Sequence, residues 1–355
     1  MIKILHSADW HLESPLGFKD PVKAKKLKEE LSKIPGRIAA LCKEQNCDLV
    51  LLSGDLLDGA ASAATVAALK QSFSDMQVPV FITPGNHDFV CANSPWANEI
   101  FPDNVHIFRN SALESVALPQ LDCRIYGAGF SSMDCDSLLQ GFTAKQEEKY
   151  AIGILHGDPT QANSPYCPIT TKQVEDSRLD YLALGHIHKG DSFRKGKTLC
   201  AWPGCPMGRG YDEEGEKGVL IVTLDEDVST RFIPLDTPRF YDMDLPVDGD
   251  PKAALAATLP PIGNENFYRI TFTGASEPFD LDALYDPRFP NLLLRDKTTP
   301  PVDIWSSADT DTFEGMYFNR LKAMMEGADE DTQRRIRLAA RISREILDGQ
   351  EVVLP

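Results

Sequence analysis

No apolar run in this chain approaches the about 18 residues that a membrane-spanning helix needs, which excludes a helical membrane protein. There is no CxxC pair, so the eight cysteines (42, 47, 91, 123, 135, 167, 200 and 205) read as reduced, mostly buried thiols and not as a disulfide framework. No Gly-x-Ser-x-Gly elbow is present, which argues against a nucleophilic-serine mechanism. Internal repeats and low-complexity tracts are also missing. Positive charge is scarce: 36 Lys and Arg face 53 Asp and Glu, for a net charge of −17. A chain this acidic does not coat nucleic acid by itself, because phosphate attraction supplies most nonspecific affinity. Any polyanionic substrate must be held locally, by cations in the site or by a basic partner.

What is present is an ordinary soluble composition, 42% hydrophobic and 25% charged over 355 residues, enough for two domains. Met1 to His6 reads as a strand, since a signal peptide would continue its apolar stretch, and a cytoplasmic protein is expected. Up to about residue 235, β-rich apolar runs alternate with polar turns. Strands are expected at 2–7, 48–53, 78–83, 105–109, 123–127, 150–155, 181–184, 198–202, 218–224 and 230–234, and helices at 22–45 and 61–76. This is α/β architecture. Near residue 238 the composition shifts, with ten of the 25 prolines between Pro238 and Pro301. The expected division is 1–237, a small second domain at 238–310 (strand, helix, strand, short helix, strand) and a helical segment at 311–355. In the last segment Arg334, Arg337, Arg341 and Arg344 fall beside Leu338, Ile342 and Ile346.

Six of the seven histidines lie in or beside short apolar segments that end in polar turns. The turns are Asp9-Trp10-His11, Gly85-Asn86-His87-Asp88, His156-Gly157 and Gly185-His186-Ile187-His188, to which Gly54-Asp55-Leu56-Leu57-Asp58 adds two carboxylates. Each follows an expected strand, where open α/β sheets place their crevices. Taken singly, most have bland readings: Asp9-x-His11 as a solvated turn, Asp55 as a cap, His156 as a core-edge histidine. Five such groups at five strand ends make coincidence improbable, and together they suffice for a two-metal hydrolase site. Ligands two residues apart can share a face in extended backbone, and glycines 54, 85, 157 and 185 are expected to turn the chain tightly before the donors. One carboxylate must reach both ions, and Asp55 is the natural choice. Carboxylate, imidazole and amide donors suit Mn²⁺, Fe²⁺ or Zn²⁺ better than Ca²⁺, and the lack of cysteine among them argues against structural zinc.

The series DxH, GDxxD, GNHD, His-Gly and GHxH resembles that of the calcineurin-like metallophosphoesterase superfamily. The longer strings His11 to Leu16, Leu182 to His188, and Pro203 to Pro206 followed by Gly208-Arg209-Gly210 resemble DNA repair exonucleases of the SbcD and YhaO type. The likeness covers about the first 240 residues and loosens beyond them. It implies two stacked mixed β-sheets flanked by helices, a four-layer sandwich, with a small α+β cap and C-terminal helices. It also implies that Asp9, His11, Asp55 and His188 hold one divalent ion, Mn²⁺ foremost, and that Asp55, Asn86, His156 and His186 hold the other. His87 would face substrate and protonate the leaving oxygen, with Asp88 orienting it, while Asp58 supports the loop. The implied activity is phosphodiester hydrolysis by a bridging hydroxide, on DNA, with an SbcC-type coiled-coil ATPase as partner; a homodimer stays open.

Three function classes remain in view. Lys19, Lys23, Lys25, Lys26, Lys28, Lys33 and Arg37 offer a basic patch for a nuclease, or else a solvated helix face. A nucleotide or small-molecule phosphodiesterase, or a phosphatase, would use the same ions. Gly59 and Asp88 stand where protein phosphatases of the superfamily carry arginine and glutamate, which counts against that branch. A non-enzymatic assembly subunit is the third class.

Overall fold

The structure is a computed structural model that describes residues 1–18, 20–301 and 303–349. Lys19 of the basic stretch and positions 350–355 of the C-terminal segment lie outside the described residues. Two compact units are formed, one from Met1–Asp242, Asn264–Arg269 and Phe289–Asn291, the other from Met243–Gly263, Ile270–Arg288 and Leu292–Pro355.

The first unit holds two six-stranded mixed sheets. One runs β12-β11-β1-β2-β3-β4, with β1 (Ile2–Ser7), β2 (Leu49–Leu52), β3 (Val80–Ile82) and β4 (Val105–Ile107) parallel. Its other two strands, β11 (Gly218–Leu224) and β12 (Val228–Pro234), are antiparallel additions. The second sheet runs β5-β6-β7-β8-β10-β9. It comprises β5 (Glu114–Leu118), β6 (Cys123–Gly127), β7 (Tyr150–His156), β8 (Tyr181–Gly185), β9 (Lys189–Lys195) and β10 (Thr198–Gly204). The fold is the expected mixed α/β sandwich.

Continuous apolar strands follow from burial on both faces. On β1 and β2, Ile4, Leu49 and Leu51 enter the core shared with Ile125, Ile152, Ile154 and Tyr181 of the second sheet. The alternate residues Leu5, Val50 and Leu52 pack on the outer helices through Leu27, Ile38, Leu69 and Phe73. Behind the second sheet, Leu155, Leu182 and Cys200 meet Val174. Each Val, Leu, Ile and Phe among these gains roughly 1.5–3 kcal/mol by leaving water.

His6 breaks the apolar pattern at the end of β1. It is fully buried, with Nδ1 2.7 Å from Tyr181 Oη and Nε2 2.8 Å from Ser53 Oγ and 3.1 Å from the Leu184 carbonyl. One ring thus ties the first sheet to the second directly beneath the strand ends.

The helix expected over 22–45 is two helices, α1 (Pro21–Ser32) and α2 (Ile34–Glu44). Asp20 caps α1, accepting from the Val22 and Lys23 amides, and Pro35 near the start of α2 has no amide to donate back into α1. α3 (Ala63–Met76) starts at the Ser62 cap. The short α4 (Pro95–Asn98), α5 (Thr171–Ser177), β5 and β9 were not anticipated. β9 is exposed nearly throughout, so it carries no apolar alternation to read.

Past residue 239 the order is β13 (Phe240–Asp248), α6 (Pro251–Thr258), β14 (Phe267–Ala275), a 3-10 turn at Asp282–Leu284 and β15 (Leu292–Asp296), the strands forming one sheet. Two helices follow, α7 (Phe313–Met325) and α8 (Glu330–Leu347). In the second unit Phe318 and Ala340 pack with Trp305 and Leu321. Arg344 belongs to that packing: it is buried, bonds to Glu314 Oε1 at 2.7 Å and to Ser307 Oγ, and lies 4.5 Å over the Phe318 ring. Among the described residues no helix is long and apolar enough to cross a membrane, and all eight cysteines are free thiols.

Candidate metal centre

Five strand ends converge on one crevice. Asp9 and His11 follow β1, Asp55 follows β2, Asn86 and His87 follow β3, His156 ends β7, and His186 and His188 follow β8. The parallel register brings them together: Ser7 pairs with Leu52, Leu52 with Ile82, and His156 with Gly185.

Asp55 Oδ2 lies 3.7 Å from His11 Nε2 and 3.4 Å from His156 Nε2, so one carboxylate oxygen sits between two imidazoles. On one side His11 Nε2 faces His188 Nε2 across 3.1 Å, with Asp9 completing a group whose donor atoms lie within 4.8 Å of one another. On the other, Asn86 Oδ1 is 2.9 Å from His156 Nε2 and 3.3 Å from His186 Nδ1. Asp9, Asp55 and His156 form a second such group. Donors around one tetrahedral ion stand roughly 3.3 Å apart when each bond is about 2 Å, so these spacings fit cations.

The electrostatics call for positive charge. Burial pushes the Asp9 carboxyl up. Burial likewise opposes charge on Asp55 and His156, yet their mutual attraction wins, holding Asp55 low and raising His156 to about 9. That proton occupies the direction in which a cation would bind. His156 is oriented for this, its Nδ1 donating to the Ser53 carbonyl at 2.9 Å so that Nε2 faces the crevice. Burial pushes His11 down to about 3 and His186 to about 4, favouring neutral imidazoles at those two positions, whereas at His188 burial is outweighed by neighbouring carboxylates, which hold the ring up. All the donors are N or O, as expected for Mn²⁺, Fe²⁺ or Zn²⁺.

At three points the structure departs from what the sequence leads one to expect. The donors after β1 are not in extended backbone: Asp9 (φ 55°) and His11 (φ 46°) are left-handed, as are Asp55 (51°) and Glu13 (70°), and His186 has φ 103°. Such strain at non-glycine residues persists only where the surroundings impose it. Second, of glycines 54, 85, 157 and 185 only Gly54 needs a positive φ, 87°. The others are glycine because neighbours press close, a Cβ at Gly85 meeting Asp55 Oδ1 at 2.3 Å and one at Gly185 meeting the Ser53 carbonyl at 2.1 Å. Gly185→Ala is therefore expected to destabilise the protein by about 3 kcal/mol or more, read as a lower urea midpoint. A midpoint within error of the parent would contradict that close approach.

Third, Asp88 does not orient His87. Its buried carboxylate accepts from four amides: Gly85 at 2.7 Å, Asp55 at 3.2 Å, Leu56 at 2.9 Å and Leu57 at 3.3 Å. It clamps the two loops that carry Asp55 and Asn86. Burial and then the neighbouring Asp55 charge push Asp88 up to about 7 despite those donors. The partner of His87 is Asp58, whose Oδ1 lies 2.8 Å from Nδ1. His87 is the exposed member of the set, at 46% of its side chain, and its amide donates to Asp55 Oδ1 at 2.9 Å.

Glu213 was not anticipated. It follows β10 and reaches back, with Oε1 2.7 Å from His188 Nδ1 and 2.7 Å from Arg209 Nη2. No strand end or metal-type motif flags it in the sequence. Tyr166 is a further neighbour, its ring 4.9 Å from that of His186.

A sandwich of two mixed sheets with convergent Asp, His and Asn donors at its strand ends is the frame of a metal-dependent phosphoesterase. Residues 2–190 match the calcineurin-like phosphoesterase family, and the chain belongs to it. It is 30% identical over 246 residues to YhaO of Bacillus subtilis, a metallophosphoesterase, covering 65% of this chain and 60% of that relative's length. Similar solved structures include TT1561 of Thermus thermophilus (13% identity, 65% of this chain and 98% of that one, TM-score 0.40). A dimetal phosphatase from Danio rerio is another (12%, 65% and 95%, TM-score 0.44).

Proposed function

We propose that the protein is a Mn²⁺-dependent phosphodiesterase whose substrate is DNA, cleaved as an exonuclease in a cytoplasmic repair complex with a coiled-coil ATPase. The observation that carries the phosphoesterase reading is the placement of His87. It stands exposed at the mouth of a buried donor cluster, its Nδ1 taken by Asp58 and its other ring nitrogen directed away from that bond. An alkoxide leaving group gains most from a proton donor so placed.

Asp9, His11, Asp55 and His188 would hold one ion, and Asp55, Asn86, His156 and His186 the other. When bound, such a pair supplies Lewis-acid neutralisation of the nonbridging phosphoryl oxygens and lowers the pKa of a water. The chain's own residues do the rest. Asp88 locks the Asp55 and Asn86 loops, Asp58 fixes the His87 ring, and His87 Nε2 gives its proton to the departing oxygen. The DNA reading is supported by the strings around His11, His186 and Pro203; the region 238–310 would select substrate geometry, and a homodimer is compatible with it.

One observation favours a second reading, a smaller phosphodiester. The basic stretch after the first donors is largely spent on the protein itself: Lys25 pairs with Glu29, Lys26 with Glu265, and Lys33 and Arg37 with Glu30.

Hydrolysis of bis-p-nitrophenyl phosphate, p-nitrophenyl phosphate and linear double-stranded DNA with added Mn²⁺ separates the possibilities. Cleavage of the diester and DNA, lowered at least about 100-fold in His87→Ala with metal content retained, is the expected result. Asp58→Asn should lose less, on the order of tenfold. Diester cleavage without DNA cleavage gives the second reading. Activity confined to the monoester overturns both, and inactivity with every metal and substrate would indicate an assembly subunit.

A further inference from the structure

The family match ends at residue 190, yet the segment that grips one of the metal-ligand candidates lies beyond it, between β10 and β11. Residues 205–217 hold His188 at both its backbone and its ring. The His188 carbonyl accepts from the Cys205 amide and from Lys217 Nζ, each at 3.3 Å. Gly204, at φ 76°, admits this approach, since a Cβ there would meet the same carbonyl oxygen at 2.6 Å.

The ring is held by Glu213, which is 6% exposed. Its Oε1 takes His188 Nδ1 at 2.7 Å, and the carboxylate is itself braced by Arg209. Nη2 reaches Oε1 at 2.7 Å, the Arg209 amide reaches Oε2 at 2.7 Å, and Nε reaches Oε2 at 3.3 Å. With three donations from one residue, Glu213 has little freedom to swing away. Arg209 Nη2 also lies 3.3 Å from His188 Nδ1, but the Glu213 oxygen is nearer at 2.7 Å, and a carboxylate there makes that nitrogen the N–H donor and leaves the Nε2 lone pair for the crevice, where it already faces His11 Nε2. The contrast with His11 is informative: its Nδ1 is buried and has no hydrogen-bond partner. Of the two imidazoles that face each other, only His188 is held from behind by a carboxylate.

We propose that Glu213, braced by Arg209, is a positioning residue that fixes the Nδ1–H tautomer and ring angle of His188, and so sets how tightly the ion beside Asp9 and His11 is held. The second half of the proposal rests on the two-ion reading of the site; the first half does not. Long-range ¹H–¹⁵N spectra of metal-stripped protein should show the Nδ1–H tautomer at His188, lost or mixed in Glu213→Ala. A calorimetric Mn²⁺ titration of the stripped protein should show one of two binding events weakened about 10–100-fold in Glu213→Ala, with Glu213→Gln between it and the parent. Asp212→Asn, an exposed acidic neighbour, should leave both events unchanged. An Nε2–H tautomer in the parent overturns the proposal, as does parental affinity in Glu213→Ala. If Glu213→Ala does not fold, the parent spectra and Glu213→Gln decide. A parent that binds no Mn²⁺ would defeat the two-ion reading and leave the tautomer test standing.

Discussion

Asp55→Ala is expected to lower phosphoester hydrolysis by at least about 10³-fold and to leave the protein unable to retain two divalent ions. The reason is geometric. One oxygen, Oδ2, lies within 3.7 Å of His11 Nε2 and 3.4 Å of His156 Nε2, while Oδ1 accepts from the His87 amide at 2.9 Å. A single substitution therefore removes the donor shared by both positions and frees the backbone of the proposed proton donor. It also strips a fully buried His156 of its charge partner, a change that costs about 3–5 kcal/mol when one member of such a pair goes. Asp55→Asn keeps the size and an oxygen for the His87 amide but not the negative charge, so it should fold better and still fail to hold the second ion. Elemental analysis after dialysis against Mn²⁺, with initial rates on the diester, checks both variants. Two retained ions with rates within tenfold of the parent would remove Asp55 from the centre.

Acid should destabilise the metal-free protein through His6, over a window set by its burial. Burial pushes this imidazole down to about 3, against the Leu184 carbonyl, which works the other way. The folded chain thus refuses a proton that the unfolded chain takes up near 6.5, so stability is full above about 6.5 and falls as pH drops towards 3. The loss is on the order of 5 kcal/mol across the whole window. His6→Leu should cost about 2–4 kcal/mol at pH 8, because Tyr181 Oη and Ser53 Oγ lose a buried partner. The same variant should show a shallower decline between pH 6.5 and 4. Urea midpoints in EDTA at pH 8, 6 and 5 measure both effects, and equal slopes in parent and variant would refute the assignment.

In the sequence His6 is one polar residue near the end of an apolar strand. That it joins Tyr181 and Ser53, residues 175 and 47 positions away, depends on stacking two sheets. Asp55, by contrast, was legible as the carboxylate of a turn after an apolar strand, in company with four other such turns. The exchange of roles between Asp58 and Asp88 shows where local reading stops. Asp88 is adjacent to His87 in sequence, yet its carboxylate turns inward to four amides, and the ring is met by a residue 29 positions earlier. The break between α1 and α2 was readable from Pro35 and outweighed by helical periodicity on both sides of it.

The order of apolar runs and donor-bearing turns by itself determined the α/β class and brought the candidate donors to strand ends, because burial on both faces of parallel strands leaves a one-dimensional record. Only the tertiary structure decided which donors touch, which glycines are needed for space, and that Glu213 stands behind His188. Those choices depend on distances between segments far apart in the chain, and hydrogen-bond partners selected by packing leave no periodicity to read.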